Sequence, residues 1–354
     1  MKSMKDYVEI DGVQIGAGHP TYIIAEMSAN HLQDLERAKA IIRTAKEIGA
    51  DAVKLQSYRP DTITLDSKRP EFMAVKGSLW EGRSLYDLYQ EAYMPWEWHE
   101  DLFKYAKEVG ITIFSSPFDW TAVDLLHSLD APAYKIASYE IVDVGLIDRC
   151  ARTGKPIIIS TGIADEEDIK LALETCHKAG NDDVVLLKCV SEYPSNLENI
   201  NLRTIPLLRE KFGTVVGLSD HSMGSEVDVA AVALGATVIE KHLTLSRADG
   251  GADSGFSMEP AEFEKMIRDI RNVEKALGEA TLEPNERMKT SKIHARSLYV
   301  VSDIKAGETF TYENVRSVRP GNGLHTKYLE EIIGKKATRD LAYATPLSWD
   351  CVEK

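Results

Sequence analysis

The stretch Thr214-Val-Val-Gly-Leu-Ser-Asp-His221 reads as a β-strand whose last residues turn polar. Ser225 to Leu234 follows as a helix, and Thr237-Val-Ile-Glu-Lys-His242 as a second strand that ends the same way. Strand, helix and strand within about 30 residues form a βαβ unit, in which a crossover helix lets two strands lie parallel.

Working outward, the same alternation runs from about residue 20 to residue 278. Earlier strand runs are Thr21–Ala25, Ala52–Leu55, Ile111–Phe114, Ala133–Ile136, Pro156–Ile159 and Asp183–Leu187. The first helix opens at Asp34 and closes at Gly49, with Leu35, Ala38, Ile41, Ile42, Ala45 and Ile48 at helical spacing. Further helices are expected at Trp98–Val109, Thr121–Leu129, Leu146–Arg152, Glu166–Ala179, Leu202–Phe212 and Ala261–Leu277. Eight such units predict an α/β fold of the TIM (β/α)8 barrel type. An eight-stranded doubly wound sheet is the structural alternative, but no GxGxxG follows the first strand, which removes its usual dinucleotide-binding form. The pattern changes after Gly278. The expectation is a barrel domain over 1–280, a polar linker over 281–293 and a small β-rich domain over 294–354, carrying the strand run Ser297–Val301 and turn signals at Lys305–Glu308 and Pro320–Gly323.

Composition narrows the function. The 354 residues carry 42 Lys+Arg against 56 Asp+Glu, a formal net charge of −14. An acidic chain argues against nucleic-acid binding and against adhesion to anionic lipid. The longest apolar run, Val229–Ile239, is too short to span a bilayer, and Asp6 and Glu9 break the apolar stretch that an export signal needs. Cys150, Cys176, Cys189 and Cys351 are scattered without a CxxC pair, which suits reduced thiols and a cytoplasmic location.

Barrel active sites lie where the βα loops converge, at the C-terminal strand ends. Those ends read Glu26; Lys54 and Gln56; Ser115 and Ser116; Lys135 and Ser138, with Glu140 just beyond; Ser160 and Thr161; Lys188, Ser191 and Tyr193; Asp220 and His221; Glu240 and His242. A purely structural barrel has no reason to present such groups, because barrel interiors favour branched apolar residues. Two lysines with several serines suit an anion bearing phosphate and carboxylate. A lone strand-end histidine is more often a hydrogen-bonded loop residue, but His221 and His242 on consecutive strands suit a divalent metal with open positions. Lys54 or Lys135 alone reads equally as an ion-pair lysine closing the barrel end, and Ser115 and Ser116 read equally as caps of the following helix. His99, in the Pro95–Glu100 cluster, reads as packing at a helix start.

The segments Ala25–His31, Ala52–Gln56, Phe114–Phe118, Tyr134–Ser138, Ile159–Gly162, Gly217–His221 and Ile239–His242, with Arg319–Gly323 in the tail, resemble the sialic acid synthase family in order and over nearly the whole chain. Within it, Glu26-Met-Ser-Ala-Asn-His31 and the insertion from Gly77–Gly82 through Glu91–His99 resemble the pseudaminic branch. The resemblance implies a TIM barrel followed by a C-terminal antifreeze-like (SAF) domain. It implies a metal-dependent condensation of phosphoenolpyruvate with the open-chain aldehyde of an acylamino hexose, here 2,4-diacetamido-2,4,6-trideoxy-altrose, releasing phosphate by C–O cleavage. The alternatives are the same chemistry on an N-acetylneuraminate or legionaminic acid precursor, a synthase acting on a phosphorylated sugar, and a non-catalytic sugar-binding protein. By the same resemblance, Lys54, Gln56, Ser116, Lys135, Ser138, Glu140 and Ser160 hold substrate, and His221 and His242 hold the metal, with Mn²⁺ first and Mg²⁺ or Co²⁺ behind it. Glu26, Tyr193 and Asp253 stand near the sugar and the attacking water. Arg319 reaches the partner's site in a domain-swapped homodimer. Ser191 stands where sialic-acid types often carry an asparagine.

Overall fold

The computed structural model describes residues 6–76 and 80–354, so residues 77–79 at the head of the insertion motif lie outside it. It separates into two compact units, Met1–Gly278 and Glu279–Lys354.

The first unit opens with an antiparallel hairpin, β1 (Tyr7–Ile10) and β2 (Val13–Gly16). Eight parallel strands follow: β3 (Tyr22–Glu26), β4 (Ala52–Ser57), β5 (Thr112–Pro117), β6 (Tyr134–Ile136), β7 (Ile157–Ser160), β8 (Val184–Cys189), β9 (Val215–Asp220) and β10 (Val238–His242). They close in chain order, with β10 pairing back onto β3. The strands run longer at their C-terminal ends than their apolar runs suggest. The ladder continues into these polar residues, as the Gln56–Ser116 and Cys189–Ser219 pairs show.

Side-chain alternation divides each strand into two faces. One face packs outward with the helices, as Val53, Ile113, Ile157, Leu186, Leu218 and Ile239 do. The other points into the barrel, where Tyr22, Ile24, Ala52, Phe114, Ile158, Val185, Leu187 and Val238 form a separate cluster. Val8, Ile10 and Ile15 of the hairpin join that interior cluster. The hairpin was not anticipated from the sequence, and its apolar residues close the floor opposite the polar strand ends. Gly217 sits on the inward face because a Cβ there would strike the Val238 backbone and the Leu187 side chain.

Helices start where short acidic side chains accept the free N–H groups of the first turn. Asp34 caps the helix Leu35–Glu47 through Glu36 and Arg37, and Asp165 caps Glu166–Lys178 through Glu167 and Asp168. Asp119 caps Trp120–Ser128, which removes the capping reading of Ser115 and Ser116. Gly110 ends the helix Trp98–Val109 at φ 77°, where a side chain would be strained. Among the described residues no helix is long and apolar enough to cross a membrane.

The second unit holds β11 (Ser297–Val300) paired antiparallel with β12 (Val315–Val318). Its own core includes Leu298, Val300, Phe310, Ile332, Leu341 and Leu347. The segment expected to be an irregular linker carries a short helix, Glu286–Ser291, capped by Asn285. All four cysteines are buried and unpaired.

Ile15 is fully buried against the barrel interior. Ile15→Ala is expected to lower unfolding free energy by about 2–4 kcal/mol in urea titrations. The polar strand ends should keep their arrangement in that variant, because the floor and the polar mouth are at opposite ends of the barrel.

Candidate active site

The inward face of each strand continues past the apolar layers into polar residues. Glu26, Lys54, Gln56, Ser116, Lys135, Ser160, His221, Glu240 and His242 all have the parity of the interior cluster. Lys54 and Lys135 are 3% and 2% exposed, burial that an ammonium tolerates only with partners. Lys54 Nζ lies 2.6 Å from Glu26 Oε2 and 3.4 Å from Glu240 Oε1. Lys135 Nζ lies 3.7 Å from the same Glu240 oxygen. Lys54 also donates to Ser116 Oγ at 3.3 Å, Gln56 Nε2 to Glu26 Oε1 at 3.0 Å, and Ser219 Oγ to Glu240 Oε1 at 3.1 Å.

The two carboxylates differ. Burial pushes Glu26 up to about 7 against the pull of Lys54. Burial also acts on Glu240, but Lys135 and Lys54 together outweigh it and hold that carboxyl below its usual range. Burial lowers Lys135, whereas Glu240 and Glu26 overcome burial at Lys54 and raise it. Glu240 is therefore the shared counter-ion of both lysines. The strand-end reading names it, but the substrate-binding set drawn from the resemblance leaves it out.

His221 and His242 face each other with ring centroids 5.3 Å apart. His221 Nδ1 is 3.0 Å from the Val190 carbonyl. A neutral ring donating from Nδ1 to that carbonyl keeps the Nε2 lone pair free for a ligand bond. His242 Nδ1 is buried with no hydrogen-bond partner, and burial, then His221, holds this imidazole well below its usual range. A neutral imidazole with an unused lone pair is what a transition-metal ion takes as a ligand. Among the described residues no three His, Cys, Asp or Glu side chains come together as a metal-holding group. A cation here would rest on two imidazoles, with its remaining positions left to water and substrate oxygens, so the donor set fits a catalytic rather than a structural ion.

Other expected residues fall around this centre. Tyr193 packs at a tilt with its ring centroid 4.4 Å from that of His221, and Phe256 packs 4.9 Å from His242. Trp80, from the insertion, lies 5.8 Å from Tyr193. Asp253 accepts hydrogen bonds from the Ser28 hydroxyl and, at 3.2 Å, from the Ala29 N–H; burial pushes its carboxyl up. Ser138 Oγ accepts from the Gly162 N–H at 3.1 Å, and a Cβ on Gly162 would strike the Ser138 and Ser191 hydroxyls. Ser160 Oγ is buried without a hydrogen-bond partner. Glu140 follows β6, and burial pushes it up to about 7. Cys189 Sγ lies 3.9 Å from His221 Nδ1, a contact with no counterpart in the sequence reading.

Four strand-end residues do not join this centre, and one of them, Thr161, donates its hydroxyl to the Leu187 carbonyl at 3.1 Å. Ser115 points outward and bonds Ser57 Oγ at 2.7 Å, which in turn bonds His99 Nε2 at 2.7 Å, so His99 is a hydrogen-bonded packing residue. Asp220 also turns outward, to Lys241. Lys188 donates to the Cys189 carbonyl at 2.7 Å. Arg319 belongs to the second unit, where it is exposed.

Comparison with known proteins agrees with this architecture. A family model described as the NeuB family matches residues 41–281, and a SAF domain model matches residues 295–353. The pseudaminic acid synthase of Helicobacter pylori is 47% identical over 338 residues, covering 95% of this chain and 98% of that protein. The N,N'-diacetyllegionaminic acid synthase of Campylobacter jejuni is 36% identical, covering 90% and 96%. Among solved structures, the N-acetylneuraminic acid synthetase of Leptospira borgpetersenii superposes with a TM-score of 0.73 at 30% identity, covering 82% of this chain and 96% of that one. With a closed barrel, a SAF domain and matches of this extent, the chain belongs to the NeuB family, the family of the sialic acid synthases.

Proposed function

We propose that this enzyme is a pseudaminic acid synthase. It joins C3 of phosphoenolpyruvate to the open-chain aldehyde carbon of 2,4-diacetamido-2,4,6-trideoxy-L-altrose. Water adds at C2 and the C–O bond to phosphate breaks, giving the nine-carbon keto sugar acid and inorganic phosphate. The observation that carries the reading is the pair of enclosed lysines, sharing Glu240, on the same inward face as the His221–His242 pair. The identity to pseudaminic acid synthases over nearly the whole chain supports the choice of sugar.

Each side chain then has a task. Lys54 and Lys135 hold the carboxylate and phosphate of phosphoenolpyruvate, with hydroxyls of Ser116, Ser138 and Ser160 around them. Fixing the enol carbon against the aldehyde removes orientational freedom, which contributes several kcal/mol to the barrier reduction. His221 and His242 would hold a divalent ion, Mn²⁺ in our reading, which would supply Lewis-acid assistance to the aldehyde. Glu26, poised near neutrality, takes the proton of the water that adds at C2, and Asp253 and Tyr193 line the sugar side. We further assign the chain to a homodimer in which Arg319 completes the partner's site, and to the cytoplasm, where four free thiols persist.

The deciding experiment offers phosphoenolpyruvate, Mn²⁺ and a panel of hexosamines and reads product masses. The trideoxy-altrose should give the highest kcat/KM, and preference for N-acetylmannosamine would move the chain to the sialic acid branch. His221→Ala should abolish turnover that metal restores to chelated wild-type enzyme, while phosphoenolpyruvate binding persists. Lys135→Met should lower kcat/KM for phosphoenolpyruvate at least about 100-fold. Glu140 is protonated below about 7 and anionic above it, so it opposes a bound anion only at the higher pH. The KM for phosphoenolpyruvate is therefore expected to rise as pH passes from 6.5 to 8.5. In Glu140→Gln that rise should be reduced.

A further inference from the structure

Behind the two imidazoles, outside the barrel wall, lies a second cluster of charges that the condensation does not use. Lys241 and Asp220 face each other in register across β10 and β9 and turn away from the lumen. Asp228, on the helix Glu226–Ala233, lies 3.2 Å from Lys241 Nζ. All three are buried: Asp228 is 0% exposed and Lys241 1%. Lys241 Nζ also donates to the Ser222 carbonyl at 2.9 Å. The Ser222 N–H and Oγ donate to Asp220 Oδ1 and Oδ2 at 2.9 and 2.8 Å.

An arrangement of two carboxylates on one ammonium is costly to bury, and shape-matched apolar residues would often serve stability as well or better. Its placement suggests a different use. Asp220 precedes His221, Ser222 follows it, and Lys241 precedes His242. One ammonium thus ties together the backbone on both sides of one imidazole and the backbone just before the other. We propose that Lys241, clamped by Asp220 and Asp228, is a positioning residue that sets the spacing and orientation of the His221–His242 pair for a divalent cation. This rests on the metal reading of that pair. Lys241 lies on the opposite face of β10 from Glu240, so the lysine pocket for phosphoenolpyruvate does not depend on it.

The test uses the full chain carrying Asp228→Asn, which keeps the shape and exchanges the carboxyl group beside Lys241 for an amide. Mn²⁺ affinity is read by electron paramagnetic resonance of the free ion, coordination by the visible spectrum of the Co²⁺ form, and phosphoenolpyruvate affinity by calorimetry without metal. The Mn²⁺ Kd should rise about 10- to 100-fold with an altered Co²⁺ spectrum, while the phosphoenolpyruvate Kd stays within twofold. A folded variant with wild-type Mn²⁺ affinity, or one that loses both affinities equally, overturns the positioning role. His242→Ala runs beside it: undiminished Mn²⁺ binding there would sink the metal reading and this inference with it. Should Asp228→Asn not fold, Asp228→Asn/Lys241→Met carries the same expectation, and failure of both to fold assigns the cluster to stability alone.

Discussion

Strand pleat fixes which residues of this barrel can meet. Successive side chains alternate between the lumen and the helical layer, so a strand presents a catalytic group only if its residues enter in the right phase. In β4 that phase sends Ala52 to the apolar interior and Lys54 and Gln56 to the mouth. In β10 it sends Val238 inward at depth and Glu240 and His242 inward at the rim, while Lys241 turns out. A slip of one residue in β10 would place an ammonium where the imidazole stands and leave the buried carboxylates of Asp220 and Asp228 without their cation.

Charge balance is the second constraint. The two ammoniums of the mouth pair with the carboxylates of Glu26 and Glu240, and Glu240 is shared between Lys54 and Lys135. Without substrate the carboxylates make burial of the lysines tolerable. When an anion binds the lysines, the carboxylates must share them or take up a proton, and Glu26, already raised to about 7, does so most easily. In the proposed reaction the group that balances the lysines is also the one that moves a proton.

Much of this was legible in the chain. Eight apolar runs separated by amphipathic helices specify a barrel because periodicities of 2 and 3.6 are local properties. Polar residues at the strand ends stood out because the interior pattern forbids them. The N-terminal hairpin went unread, since its Val8, Ile10 and Ile15 are too few to announce a role until the barrel floor they close is in place. Ser115 and Asp220 looked like mouth residues because proximity to a strand end carries no information about phase, and register alone turned them outward.

Sequence by itself determined the element order, the inventory of lysines, histidines and carboxylates, and the family resemblance, because each is written in residue identity and local spacing. Closure of the sheet decided the rest. It made Glu240 the common counter-ion of two lysines from distant strands and set two imidazoles 5.3 Å apart. It also buried Lys241 between carboxylates of a strand and a helix. Those pairings join residues far apart in the chain, and only packing in three dimensions brings such groups within reach of Coulomb forces.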